Sequence, residues 1–148
     1  VAKTPAECFD ADGFFKTGDV GFMDDDDNLH FTGRRSEMIK TGGANVSPAE
    51  LEVALRAFPP VKLVRIVGMP DARLDQIVVA CITLKDNATA TEDDIRSFLR
   101  ERVASYKVPK RVLFFADGQI PMTASDTKVR DAELASLVAE RLTMESHD

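Results

Sequence analysis

The chain has 148 residues and a formal net charge of −6, with 44% hydrophobic and 30% charged residues. The excess of acidic residues argues against general binding to nucleic acid, which favours a basic surface. The longest purely apolar run, residues 77–82, is far too short to span a membrane. The length suits one domain, or one domain with a tail.

The cysteines and histidines predict neither a disulfide nor a metal site. Cys8 and Cys81 lie far apart, and Cys81 falls within an apolar strand, so we expect reduced thiols in a cytoplasmic protein. His30 has no cysteine or aspartate at the spacing typical of zinc sites, and we expect no bound metal. Residues 24–27 are all aspartate. Such a run could bind a cation, but before Asn28 it is more typical of a solvated hairpin turn.

The first part of the chain is predicted to form a hairpin, a short strand and a helix. Residues 20–23 and 29–32 are predicted strands, joined by the acidic turn. A short strand is predicted over residues 38–41. A helix is predicted over residues 48–58, where the apolar side chains share one face, and Pro59 ends it.

Two strands are predicted next, over residues 63–67 and 77–84. The second strand is apolar on both faces, which indicates a central position in a sheet. Residues 68–76 contain a proline and an aspartate and are predicted as the loop between the two strands.

The last part of the chain is predicted to contain two helices with a strand between them. Thr91 is the predicted N-cap of the first helix, the strand covers residues 111–115, and the last helix covers residues 131–142. We therefore expect an α+β fold, in which a small sheet packs with about three helices and is preceded by a short hairpin.

The helix start at residues 47–50 carries several signals. Ser47 is the predicted N-cap, Pro48 occupies the first helical position, and Glu50 stands three residues after the cap. This pattern predicts a capping box, in which serine and glutamate side chains each bind a backbone N–H of the first turn.

A glycine pair and several cations precede that helix. Gly42 and Gly43 permit a sharp turn, or a close approach of a ligand to the backbone. A plain hairpin corner accounts for the glycines alone. It does not account for their combination with Arg34 and Lys40, which is typical of a protein that handles phosphate.

Residues 33–50, with the sequence GRRSEMIKTGGANVSPAE, resemble the hinge region of the adenylate-forming enzymes. This family includes acyl- and aryl-CoA synthetases, firefly-type luciferases and peptide-synthetase adenylation domains. Residues 15–19, FKTGD, resemble its Y/F-R/K-T-G-D motif, and residues 106–109, YKVP, resemble a segment common in the synthetases. Residues 121–128, PMTASDTK, resemble the P-x-T-x-S/T-G-K loop.

The resemblance implies a division of the chain near the hinge. Residues 1–35 are predicted to be the C-terminal end of a large N-terminal adenylation domain, and residues 36–148 the small C-terminal lid domain. The family's phosphate-binding loop and acid pocket belong to that large domain, which is the expected partner of the lid. The piece alone is therefore expected to be inactive.

The resemblance also implies two reactions at one site. A carboxylic acid first reacts with ATP to give an acyl-adenylate and pyrophosphate, and coenzyme A then displaces AMP to give a thioester. The expected cofactors are ATP, with Mg²⁺ held mainly by the large domain, and coenzyme A.

Three residues match the family's residues for the first reaction. Lys128 matches the catalytic lysine that bridges carboxylate and phosphate, Asp19 the acid that binds the ribose hydroxyls, and Arg34 the hinge arginine that contacts the nucleotide. From the residues alone, each could equally be an ordinary charge on the surface or in a turn.

Four residues match the hinge and the second reaction. Ser36 stands at the hinge, where aspartate or lysine is most common in the family. Rotation there is expected to exchange the face of Lys128 for a second face. That face carries Lys40 as its catalytic candidate, with Gly42 and Gly43 lining the tunnel for the pantetheine thiol.

The loop before Lys128 departs from the family pattern. Asp126 and Thr127 stand where glycine is usual, and the loop is one residue longer than the common spacing. A β-branched threonine adopts a left-handed backbone less readily than glycine, so the path of the loop is expected to differ. Lys107 and Lys110 are the fallback candidates for the catalytic cation.

The pattern T-G-G-x-N-V-S-P-x-E is more similar to acyl- and aryl-CoA synthetases than to peptide-synthetase domains. It favours a ligase that joins a fatty or related carboxylic acid to coenzyme A. Two alternatives stay open: transfer of the acyl group to a carrier-protein phosphopantetheine, and a non-catalytic interaction module.

Overall fold

A two-stranded hairpin, a five-stranded sheet and three α-helices make up the computed structural model over the residues it describes, 4–125 and 128–145. The hairpin comes first, and its antiparallel strands are β1 (Asp19–Met23) and β2 (Leu29–Arg34). The predicted boundary after residue 35 stays a prediction.

The acidic run forms the turn of this hairpin, as predicted. Asp24 accepts a hydrogen bond of 2.8 Å from the backbone N–H of Asn28 and lies 2.6 Å from Nε2 of His30. These bonds, that with His30 foremost, lower the pKa of the Asp24 carboxyl to about 2. The carboxylate is therefore already engaged in closing the turn.

The larger sheet is built around one long strand. Its members are β3 (Ile39–Thr41), β4 (Ala44–Val46), β5 (Val61–Asp71), β6 (Asp75–Leu84) and β7 (Arg111–Phe114). Within the described sheet, β5 lies antiparallel along one edge of β6 and pairs with no other strand. On the other edge of β6, β3 pairs with the start of β6, and β7 runs parallel to the later part of β6.

Two features of this sheet differ from the predictions. The predicted loop at residues 68–76 is wrong, because β5 and β6 stay paired up to Asp71 and Asp75. Pro70 fits within β5 because an edge strand tolerates a missing N–H, and Asp71 closes the turn by accepting the N–H groups of Arg73 and Leu74, each at 2.9 Å. The short strand β4 was not predicted.

The three α-helices are α1 (Pro48–Arg56), α2 (Glu92–Arg100) and α3 (Asp131–Glu145). Ser47 caps α1, as predicted, by accepting the N–H of Glu50 at 3.3 Å. The reciprocal half of the predicted capping box is wrong. The Glu50 carboxylate instead binds Nζ of Lys107, with oxygens at 2.7 and 2.8 Å.

Two hydrophobic clusters cover the two faces of the large sheet. Val78, Ala80 and Ile82 of β6 belong to the cluster that contains the buried residues of α1 and α2. Val79 and Cys81 belong to the cluster of α3. This alternation explains why β6 is apolar throughout, and it confirms the predicted central strand and the predicted α+β fold. Burial raises the pKa of the Cys81 thiol to about 12.

Among the helices of the described residues, none has the length and apolar character needed to cross a membrane.

Candidate functional site

The first predicted pair of site residues meets at the open end of the hairpin. Asp19 begins β1, Arg34 ends β2, and the ladder aligns them as direct partners. Nε of Arg34 lies 3.1 Å from Oδ1 of Asp19, and the two side chains are 58% and 38% exposed. Exposed ion pairs of this kind are worth at most about 1 kcal/mol. Both groups can therefore exchange this contact for bonds to a ligand.

The candidate hinge residue follows this pair directly. Ser36 is exposed and lies in the short 3-10 turn Arg35–Glu37, which buries none of its residues. Residues of the hairpin end and of this turn line a cleft of about 310 Å³: Thr17, Gly18, Arg34, Arg35 and Ser36. The link to the larger sheet is therefore short and little packed.

A hydrogen bond bridges this link. The hydroxyl of Ser47, the N-cap of α1, donates to the carbonyl of Thr32 in β2 at 2.5 Å. A rotation at Ser36 that separates hairpin and helix must break this bond.

The glycine pair forms the two-residue turn between β3 and β4. Thr41 and Ala44 are partners on either side of it, and Gly42 and Gly43 have φ values of +55° and +82°. Two positive values define a type I′ turn, which glycine favours. The hairpin corner left open by the sequence is thus confirmed. A Cβ on Gly43 would meet no described atom within 4 Å, so its backbone is open to an approaching group.

Lys40 lies on the same hairpin as the glycine pair. It is exposed in the middle of β3, and its backbone N–H donates to Oε1 of Gln76 at 2.9 Å. A cleft of about 440 Å³ adjoins it and is lined by Val20, Arg35, Met38, Lys40 and Asn45. Within the described ranges its ammonium group makes no ion pair. The structure therefore brings Lys40 and the glycines together.

Lys128 stands on a third element, the loop before α3. The N–H of Thr123 donates to the Lys128 carbonyl at 2.7 Å, and the N–H of Lys128 lies 3.3 Å from Oγ1 of Thr123. Val129, the next residue, is 8% exposed and packs in the cluster of α3. The backbone at Lys128 is thus anchored while its side chain is exposed, with no ion pair to any residue of the described chain.

The prediction of an altered loop path rests on Asp126 and Thr127, which lie outside the described residues. No hydrogen bond or ion pair of the described residues joins the Lys128 side chain to Asp19 and Arg34, or to Lys40 and the glycines.

The fallback lysines have other surroundings. Lys107 is bound by both carboxylate oxygens of Glu50, and its side chain is 20% exposed, so it serves the packing of α1. Lys110 lines a separate cleft of about 640 Å³ between the β5–β6 turn, the start of β7 and the end of α3. The sequence did not indicate this cleft, which also contains Arg73 and Arg111, because its residues come from three distant parts of the chain.

Within residues 4–125 and 128–145, no group of three or more His, Cys, Asp or Glu side chains is arranged to hold a metal ion. Among the charged residues described above, Arg34, Lys40 and Lys128 are exposed cations that can bind an anionic ligand.

Comparison with known proteins points in the same direction. Residues 50–127 match the family described as AMP-binding enzyme C-terminal domain. The chain is 40% identical over 126 residues to 2-succinylbenzoate–CoA ligase of Geobacillus kaustophilus, covering 85% of this chain and 25% of that protein. It is 38% identical over 137 residues to 4-coumarate–CoA ligase 2 of Nicotiana tabacum, covering 93% and 25%.

Solved structures of relatives have the same fold. ATP-bound MatB of Rhodopseudomonas palustris superposes with a TM-score of 0.75 at 32% identity, over 89% of this chain and 26% of that one. MenE of Bacillus subtilis, in complex with its acyl-adenylate intermediate, gives 0.71 at 29% identity, over 90% and 25%. The chain thus spans about a quarter of the length of these relatives.

Proposed function

The chain belongs to the family of AMP-binding enzyme C-terminal domains, and on that premise we propose that it is the lid of an AMP-forming acid–CoA ligase. The observation that carries the proposal is the pair of exposed lysines, Lys128 and Lys40, on elements that both follow the Ser36 turn. Each offers an exposed cation with no ion-pair partner in the described chain, and such a cation can bind an anionic group of a ligand.

The first proposed step forms the acyl-adenylate. A carboxylate oxygen attacks the α-phosphorus of ATP, the bond from that phosphorus to the bridging oxygen breaks, and pyrophosphate leaves. Lys128 lies between the two anions, where an ammonium about 4 Å from a phosphate oxygen contributes roughly 4 kcal/mol at an effective dielectric near 20. Asp19 accepts the ribose hydroxyls, and Arg34 donates to nucleotide oxygens through its planar guanidinium.

The second proposed step forms the thioester. The sulfur of coenzyme A attacks the acyl carbon, the bond from that carbon to the AMP oxygen breaks, AMP leaves, and the thiol proton passes to solvent. Lys40 and the turn of Gly42 and Gly43 line the route of the pantetheine arm. We expect the Mg²⁺ that accompanies ATP to be held mainly by the large domain.

For the acid, we propose a fatty or related carboxylic acid. A fatty acyl-CoA synthetase of Mycobacterium tuberculosis is 34% identical to this chain, with a TM-score of 0.70. The names of other relatives include oxalate and indoleacetate ligases, so a panel of fatty, aromatic and dicarboxylic acids is the matching assay.

The choice of acceptor tests the proposed function. Full-length enzyme, with ATP and an accepted acid, is expected to form a thioester with coenzyme A. It is expected to leave a phosphopantetheinylated carrier protein unacylated. Mass spectrometry of both acceptors in one reaction decides the question. Acylation of the carrier protein alone would contradict the ligase assignment and support the carrier-loading alternative.

The proposed rotation has its own test at Ser36. Proline there fixes φ near −65° and restricts the preceding Arg35. Ser36→Pro in the full-length enzyme is therefore expected to keep one half-reaction and to slow the other strongly. The two rates are measured separately, as pyrophosphate exchange and as AMP release from supplied acyl-adenylate and coenzyme A. Wild-type rates in both would show that Ser36 is not the hinge.

A further inference from the structure

The geometry points to Arg65 and Asp131 as a positioning pair that orients the Lys128 loop for the adenylation step. This inference rests on the proposed function, because it concerns the lysine that the first step requires. Neither residue belongs to a motif of the sequence analysis, and neither is expected to touch substrate.

One end of the pair is fixed by a buried carboxylate. Glu52 of α1 has a side chain only 5% exposed, and it accepts the N–H of Ile66 and a hydrogen bond from Arg65, each at 3.1 Å. The Ile66 N–H is available to Glu52 because β5 is an edge strand, which pairs only with β6 in the described sheet. A buried carboxylate needs such partners, and this need holds the guanidinium in place.

The other end of the pair holds the start of α3. Nη2 of Arg65 lies 2.6 Å from Oδ1 of Asp131, the first residue of α3. Burial acts to lower the pKa of Arg65, but its bonds to Asp131 and Glu52 outweigh this effect and raise the pKa above its ordinary value. The guanidinium therefore stays charged and links α1 and α3, which pack on opposite faces, around the free edge of the sheet.

Asp131 is close enough in sequence to Lys128 to direct it. Of the two residues between them, Val129 is buried, and the N–H of Arg130 donates to the Pro121 carbonyl at 2.9 Å. No freely rotating segment therefore separates the ion pair from the lysine. A shift of the first turn of α3 is passed on to the backbone of Lys128.

The first turn of α3 is not closely packed against the sheet edge beside it. A cleft of about 270 Å³ separates the first turn of α3 from the sheet edge and from α1, and Glu52, Arg65 and Asp131 all line it. The ion pair crosses this gap. Its Asp131 side is 59% exposed, so it adds little to stability, and its effect is on the direction of the helix start.

The test uses Asp131→Asn in the full-length enzyme, because this change keeps the buried Glu52–Arg65 contact and the size of the side chain. Glu133→Gln is the matched control. Glu133 lies in the same first turn and pairs with Arg130 at 2.7 Å. Its replacement by glutamine removes the same negative charge near the helix N-terminus. Asp131→Glu is the conservative variant that restores the carboxylate.

We expect Asp131→Asn to slow pyrophosphate exchange by roughly 10- to 100-fold, the effect of about 1 Å of misplacement of a catalytic group. AMP release from supplied acyl-adenylate and coenzyme A should stay near the wild-type rate, since Lys128 is not used there. Glu133→Gln should resemble wild type in both assays, and Asp131→Glu should recover most of the lost exchange.

Two outcomes would overturn the inference. If Asp131→Asn and Glu133→Gln behave alike, the Arg65 contact has no special role. If Asp131→Asn slows both half-reactions equally, its role is merely structural. Lys128→Ala in the same assays separates this from a failure of the proposed function. Exchange that survives Lys128→Ala removes the lysine's role, and with it the role of the pair that positions it.

Discussion

Replacing Lys128 by alanine in the full-length enzyme is expected to slow pyrophosphate exchange by about 10²–10³-fold, the usual cost of removing a group that stabilises charge in a transition state. The physical reason is the encounter of two anions, a carboxylate and a phosphate, whose repulsion the Lys128 ammonium is proposed to offset. Thermal stability should not change, because the side chain is exposed and has no ion pair to a described residue.

Lys62→Ala is the control for this prediction. Lys62 is also an exposed lysine of the lid, 45% accessible, but it pairs with Asp117 at 2.8 Å and lies outside residues 121–128. Its replacement should leave exchange unchanged. Exchange at the wild-type rate in Lys128→Ala would instead favour a non-catalytic interaction module.

Replacing Gly43 by leucine is expected to suppress thioester formation by about 10²-fold or more, the scale that misplacing a reactant by about 1 Å commonly causes. The side chain would project into space that no described atom occupies, where we place the pantetheine arm. Exchange of pyrophosphate should persist, because we propose that this reaction uses the face of Lys128 and not that of the glycine pair. AMP release from supplied acyl-adenylate and coenzyme A measures the loss.

Gly118→Leu is the matched control for backbone strain. Gly118 also has a positive φ, +75°, and its Cβ would likewise meet no described atom within 4 Å. A left-handed conformation costs a non-glycine residue about 1–2 kcal/mol at either position. Equal loss of thioester formation in both variants would mean that backbone strain explains the effect, and that the leucine does not block the pantetheine arm.

Much of the fold could be predicted because its signals are local. The continuous apolar character of β6 follows from helices on both faces, and the N-caps Ser47 and Thr91 mark their helices directly. The extent of β5 and β6 could not be predicted in this way. A proline indicates a loop in a sequence, but the pairing of β5 with β6 continues past Pro70, which lies opposite Gln76.

The candidate site shows the same division. Family resemblance selected Asp19 and Arg34, and the hairpin register explains why they meet. The contacts of Glu50 with Lys107 and of Arg65 with Asp131 join residues 57 and 66 positions apart. No local pattern indicates such contacts, because they depend on how helices and strands come together. The reciprocal half of the capping-box prediction failed for this reason, because the Glu50 carboxylate binds Lys107.

The central claim is that two faces of one lid serve two different half-reactions. Its most direct test is to measure both half-reactions side by side in Lys128→Ala and Gly43→Leu. A crossed pattern is predicted: the lysine variant loses pyrophosphate exchange and keeps thioester formation from supplied acyl-adenylate, and the glycine variant does the reverse. Parallel losses of both activities in both variants would contradict the account.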